Sequence, residues 1–347
     1  MTIASTLRLS LCTAAVSAIS MFGLVGCSNS ATETATDDAV VTTDKPAKTL
    51  AITQIVEHPS LDEIRRGLLE ELADNGYVEG ENLTVNFQSA QGNLATAGQI
   101  AKQFAGDLPD AIVAISTPSA QSIVSSTTTV PVIYTAISDP LAAKLIDDKN
   151  VPFQSNVTGL SSQLPIEPQL DLIQKIAPNA KTIGYVYSPG EANSVTVLNQ
   201  LKQAAPARGL EILDLTANRP TDVAMATRSL GGRADVIYTS LDNNVVSAFE
   251  AMASAANELK IPVIASDEFS VRRGATAALG VNDYDFGRVT GKMVYRVLND
   301  EAVNTIKPQV MNDLTLYVSP KHAQAQGVSL SADLLKDAIN VDDVDKK

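Results

Sequence analysis

LAITQIVEHPSLDEIRRGLLEELADNGYVEGENLTVNFQSA, Leu50 to Ala90, sets the architecture of the chain. Leu50–Glu57 is a short, mostly apolar run of the kind that forms a buried strand. From Pro59 the apolar period lengthens, and Leu61, Ile64, Leu68 and Leu72 fall on one face of a helix. Asn75-Gly76 is a stop signal for that helix. Asn82–Ala90 then alternates apolar and polar residues, as a strand does. Two strands separated by a helix pair in parallel, because the crossover is too long for a hairpin.

The same alternation continues outward. Asn93–Gly106 reads as a second helix, Asp110–Ser116 as a buried strand, Thr117–Thr127 as a third helix and Val130–Ile137 as a further strand. After Val157 it restarts. Ile166–Pro178, Asn193–Gly209, Thr221–Gly232, Asn243–Lys260 and Phe286–Asp300 carry helical spacing. Lys181–Pro189, Leu210–Ala217, Ala234–Asp242, Ile261–Asp267 and Gly274–Val281 lie between them as strands. The fold class expected is α/β, with two lobes, each a parallel sheet flanked by helices.

Open parallel sheets bind ligands beyond the carboxyl ends of their strands. The loops at those ends read EHPS, QSAQGN, STPSAQ and AISDP in the first run, then YSPGEAN, TSLDNN and ASDEFS in the second. Ser116, Thr117 and Ser119 open a helix whose free amides suit a carboxylate, although the same residues serve as plain N-caps. Asp242 and Asn243 open another helix, where a carboxylate in a cleft would suit an ammonium group. Asp267 follows its strand in the same way, ahead of Glu268. Asp139 precedes Pro140 and is either a ligand contact or a turn former. His58 ends the first strand and reads as a wall residue. Tyr134, Tyr238 and Phe269 flank these loops as core residues or aromatic platforms.

Composition narrows the function. The chain has 347 residues, a formal net charge of −13 and no Trp, which argues against a nucleic-acid partner. Both cysteines, Cys12 and Cys27, precede the globular part, and His58 and His322 are its only histidines. Disulfides, cysteine nucleophiles and multi-histidine metal sites are thereby excluded from it. No G-x-S-x-G, P-loop or H-E-x-x-H pattern is present, so no enzyme and no cofactor are expected.

The N-terminus has a different character. Arg8 precedes an apolar segment, Leu9–Gly26, in the layout of a secretory signal. Its end, Leu24-Val25-Gly26-Cys27, resembles the lipobox of bacterial lipoproteins. That resemblance implies cleavage before Cys27 and a diacylglycerol thioether on its sulfur. Residues 1–26 are then a signal peptide and 27–48 a flexible tether, rich in Thr, Ala and Asp. By length alone, an uncleaved membrane anchor is the alternative.

The globular part resembles the ABC-transporter substrate-binding proteins related to the tryptophan- and tyrosine-binding lipoproteins. The resemblance is carried by TQIVEHPSLDEIRRG, QSAQGN, STPSAQ, SDP at Ser138–Pro140 and NVTGLSSQLPIEPQL. It continues in SLDNNVV, PVIASDEFSVRRGATAALGVNDYDFGRVTG and LYVSP, and covers Thr49 to about Gln326. It implies the two-lobed periplasmic-binding fold of type I, closing on its ligand by a hinge. Crossings are expected near Val157-Thr158-Gly159, near Val281-Asn282 and near the last strand. The lobes are then 49–157 with about 282–310, and 158–281 with about 311–340. It further implies that Asp242-Asn243 sits at the ligand and Gln91 at the cleft mouth. The function expected is an extracytoplasmic solute-binding lipoprotein, a monomer held to the cell envelope by its lipid. It would bind a small amino-acid-like solute, aromatic by the relatives, and deliver it to permease and ATPase subunits. A branched-chain amino acid or another small solute, or a sensing role at a membrane receptor, stays open.

Overall fold

A computed structural model describes residues 45–162 and 164–344. The signal segment, Cys27 and nearly all of the tether lie outside the described residues. The first lobe opens with β1 (Lys48–Gln54), α1 (Pro59–Asp74), β2 (Leu83–Ser89), α2 (Leu94–Asp107), β3 (Ala111–Ile115), α3 (Thr117–Val124), β4 (Val132–Ile137) and β5 (Val157–Ser161). The second lobe takes α4 (Ile166–Ile176), β6 (Thr182–Tyr187), α5 (Ala192–Ala204), β7 (Glu211–Thr216), α6 (Val223–Arg228) and β8 (Val236–Tyr238). It continues through α7 (Asn243–Ser247), α8 (Phe249–Leu259), β9 (Val263–Ala265), α9 (Glu268–Arg272) and β10 (Ala277–Gly280). The chain then returns to the first lobe with α10 (Asp283–Leu298) and β11 (Gln309–Val310). It finishes in the second with β12 (Thr315–Val318), α11 (Pro320–Ala325), α12 (Ala332–Lys336), β13 (Ile339–Asn340) and α13 (Val341–Val344).

The first sheet has the order β11-β5-β4-β3-β1-β2 and the second β13-β12-β10-β9-β8-β6-β7. Strand pairing is parallel except between β10 and β12. Each sheet is covered on both faces, so its central strands bury successive residues in opposite directions. In β3, Val113 and Ile115 join Leu61, Ile64 and Leu68 of α1. Ile112 and Ala114 face α2 and α3, where Ile100, Phe104 and Ile123 meet them. Burying each large side chain is worth about 1.5–3 kcal/mol against leaving it in water.

Helix α10 fastens the returning chain to the first lobe by packing against α1. A Cβ on Gly67 would press into the Tyr284 carbonyl, and one on Gly287 into the Ile64 carbonyl, both well inside van der Waals contact. Glycine at these positions lets the two backbones approach.

Three features differ from the sequence expectation. Val157–Ser161 is a strand of the first sheet, paired with β4 and β11. By sheet membership the first crossing therefore follows Ser161 rather than lying at Val157–Gly159. Gly159 there accommodates the Tyr134 backbone and ring, so this glycine serves packing within the sheet. Asn243–Lys260 is broken into α7 and α8 at Ala248. Helix α10 starts at Asp283, three residues before Phe286, because the Asn282 side chain accepts from the Asp285 amide at 2.9 Å and caps it.

Candidate functional site

The carboxyl ends of both sheets face a shared cleft that closes into a small cavity. The first lobe contributes His58, Ser60 and Ile64 around α1, Ser116 and Thr117 at the start of α3, and Ala136 at the end of β4. The second contributes Asn193 of α5, Leu241, and Asn243 and Val246 of α7. Val281, Asp283 and Phe286 come from the crossing into α10, and Ser162 and Leu164 from the crossing after β5. A groove of about 730 Å³ opens beside it and shares Leu164, Asn193 and Leu241 with it.

Seven aliphatic side chains and the phenyl ring of Phe286 share the walls with nine polar residues. Four buried polar atoms on this lining have no hydrogen-bond partner: Ser116 Oγ, His58 Nδ1, Asn193 Oδ1 and Asp283 Oδ2. Buried polar atoms are seldom left so, because each costs about 1–3 kcal/mol. Their concentration in one cavity points to a ligand that supplies partners.

The two poles of the cavity differ chemically. Ser116 holds φ 81° and ψ 158°, a conformation that is essentially reserved for glycine. Its amide is spent on Thr135 of the sheet, at 3.0 Å, while its hydroxyl is unpaired. The amides of Thr117 and Ser119 have no acceptor inside α3, and Pro118 has no N–H. This end suits an anion. Ala136, at φ 55°, is a second residue of the lining held in the left-handed region.

Asp283 makes the other pole. It begins α10, is 8 % exposed, and has one oxygen free. Burial, and then the nearby Asp267 carboxylate, push its carboxyl well above the usual range, against the hydroxyl of Ser60. A carboxyl in that environment gains from a cation. His58 is fully buried, and burial, reinforced by Arg273, lowers its ring to about 3, so it is neutral. Asn243 donates Nδ2 to Glu191 at 2.6 Å, which leaves its carbonyl for the hydrogen bond with His58. That bond leaves His58 Nδ1 as an acceptor on the cavity.

The other expected site residues have different places. Asp242 is 0 % exposed and does not line the cavity. Its carboxylate accepts from the Ser188 amide at 2.6 Å, Ser188 Oγ at 2.9 Å, Ser194 Oγ at 2.6 Å and the Val245 amide at 3.0 Å. It ties β6, α5 and α7 together beneath the cleft. Asp267 caps α9 and accepts from the Ser60 hydroxyl across the cleft at 3.0 Å, which joins the lobes. Ser119 is buried in the first turn of α3, with its hydroxyl unpaired but off the lining. Asp139 caps a turn at Ala142 and lines the wider groove. Gln91 is exposed and bonds Glu57 at 2.8 Å. Of the aromatic candidates, Tyr134 and Phe269 do not line the cavity, and Tyr238 lines only the groove.

Asp283, Asn193 and Ser60 were missed in the sequence. Asp283 follows a predicted strand, but its helix was expected to begin at Phe286, which hid its position. Asn193 stood in the YSPGEAN loop without a feature to distinguish it from its neighbours. Beneath the cavity, Glu191 accepts from the Asn243 amide and side chain, and burial with the Asp242 charge pushes it up to about 7. Among the described residues no cluster of three or more His, Cys, Asp or Glu is placed to hold a metal ion. No described helix is long and apolar enough to cross a membrane.

Similarity to known proteins agrees with this geometry. The chain is 36% identical over 329 residues, 94% of each chain, to the tyrosine-binding protein of Clostridioides difficile. A Streptococcus pneumoniae ABC domain in complex with L-Trp superposes with a TM-score of 0.80 at 31% identity, over 85% of this chain and 99% of that one. The ligand-free, open structure of a Clostridium difficile substrate-binding protein with adhesive properties covers the same shares at 37% identity, with a TM-score of 0.64. The less identical chain superposes better, and Ser60 with Asp267 and His58 with Asn243 hold the present lobes against one another. The fold is the type I periplasmic-binding architecture, shared by more distant solute-binding proteins. The family model for ABC transporter substrate-binding proteins matches residues 49–342, and the chain belongs to that family.

Proposed function

We propose that this substrate-binding protein holds an aromatic amino acid in the cavity between its lobes and delivers it to an ABC permease from the extracytoplasmic side. The observation that carries the reading is the pair of poles in one closed cavity. The lining brings together Ser116, at the first-turn amides of α3, and the unpartnered Asp283 carboxyl. The first suits an α-carboxylate and the second an α-ammonium. His58 and Asn243 line the space between lobes. The aliphatic walls and Phe286 suit an apolar side chain. The relatives that bind tyrosine and L-Trp favour an aromatic one. The aliphatic walls keep a branched-chain amino acid as the second reading.

The ammonium role expected of Asp242 passes to Asp283 in this reading, because the Asp242 oxygens already have four donors. Hydrogen bonds to charged groups are worth about 1.5–3 kcal/mol. Asp283→Asn should therefore weaken binding by roughly ten- to a hundredfold, and should weaken a deaminated analogue far less. Titration calorimetry with both ligands on both proteins measures this cycle. Equal losses for the two ligands would remove Asp283 from the site. A thermal-shift panel of amino acids, sugars and nucleosides tests the ligand class itself, and a sugar or nucleoside hit would replace it.

We assign the lipid anchor to Cys27 on the match at Leu24–Cys27. Mass spectrometry of the mature N-terminus should find acyl groups there, and an unmodified first residue would end that assignment.

A further inference from the structure

We propose that Asn193 reads a hydrogen-bond donor at the far end of the ligand's side chain, so that the cleft prefers aromatic amino acids bearing a phenol or indole to phenylalanine. The inference rests on the amino-acid reading above and adds the direction in which the ligand lies.

Chemistry sets the orientation of the amide. Asn193 Nδ2 donates to the Leu241 carbonyl at 3.0 Å and to Glu191 Oε2 at 3.2 Å. A carbonyl oxygen has no hydrogen to give, so turning the amide over would set oxygen against oxygen. Asn193 Oδ1 is thus the end left for the cavity. It is unpartnered, on a residue 4 % exposed. Only a donor satisfies it.

Topology separates this atom from the ammonium pole. Asn193 follows β6, and Asp283 follows β10. In the sheet β9 and β8 stand between those strands. Three strand spacings set β6 and β10 about 14 Å apart. The donor for Asn193 is thus a group other than the ammonium held by Asp283, and the far end of an extended aromatic side chain supplies one. A phenol O–H donates to Asn193 Oδ1, as an indole N–H does, while a phenyl ring has nothing to offer. The wider groove begins at Asn193, Leu164 and Leu241, which gives a longer ring system room to project. A site built to pair a ligand's donor rejects the analogue that lacks it, because the protein's own polar atom is then buried unpaired.

Tyrosine, 4-aminophenylalanine and phenylalanine, titrated into the purified full chain, test the idea. Tyrosine and the 4-amino compound should bind at least about tenfold tighter than phenylalanine. Asn193→Ala should bring all three within about threefold of one another by weakening the two donors alone. The substitution also frees Glu191 and could harm folding, but the comparison of ligands in the unaltered protein stands without it. Phenylalanine binding as tightly as tyrosine would overturn the inference, as would equal weakening of both in Asn193→Ala. In either case the amino-acid reading survives. Failure of every aromatic amino acid to bind would sink both.

Discussion

Ser116 shows how one residue can trade stability for a site. A φ of 81° with ψ of 158° costs a non-glycine residue about 1–3 kcal/mol. That strain sits at the mouth of α3, where the hydroxyl faces the cavity. Ser116→Gly should raise unfolding stability by about 1 kcal/mol in urea while lowering ligand affinity, since glycine relieves the backbone and deletes the hydroxyl. A variant no more stable than the parent would show that no strain is held there. Asp242 behaves in the opposite way. It looked like a ligand carboxylate because it follows a strand and opens a helix. Those features equally describe a cap, and its four donors make it one. Local sequence cannot separate the two roles, because both need a carboxylate at the same place in the chain. Only the identity of its neighbours in space does so.

At the scale of elements, the α1–α10 crossing decides how the returning chain is seated on the first lobe. Gly67, Gly287 and Gly291 bring the helices so close that carbonyls of each lie where a Cβ would be. Gly287→Ala should cost about 1–3 kcal/mol or more, as overpacking does. Gly98, within α2, has no neighbour within 4 Å of an added Cβ. Gly98→Ala should instead stabilise by roughly 0.5–1 kcal/mol, through helix propensity alone. Urea unfolding of both variants tests the contrast, and a mild Gly287→Ala would mean that the helices can separate without loss. The alternation of strands and helices was readable because periods of 2 and 3.6 differ so clearly. Strand β5 was not. Its five residues, VTGLS, are buried on both faces and contain glycine, and they carry no period to separate a strand from a crossing.

The closed molecule couples ligand to protons. The lobes meet through Ser60 with Asp267 and His58 with Asn243, and that closure buries Asp283. Burial raises its carboxyl, which favours the protonated form in the empty cleft. An ammonium ligand favours the carboxylate and expels that proton, so affinity should rise with pH from the ordinary carboxylate range up through the raised value. His58, lowered to about 3, stays neutral across that window and does not mask the effect. Calorimetry over a series of pH values above the ordinary carboxylate range, in buffers of different ionisation enthalpy, should register net proton release that Asp283→Asn diminishes. Proton uptake would contradict it. Hydrophobic period, turn residues and strand-end loops, all local properties, determined from the sequence the α/β class, the two lobes and the cleft between them. The resemblance added the family. Tertiary structure alone decided which polar groups at that cleft remain unpaired. A buried oxygen's availability depends on every donor around it, and the donors that occupy Asp242 and leave Asp283 and Asn193 open arrive from segments far away in the chain or in the sheet.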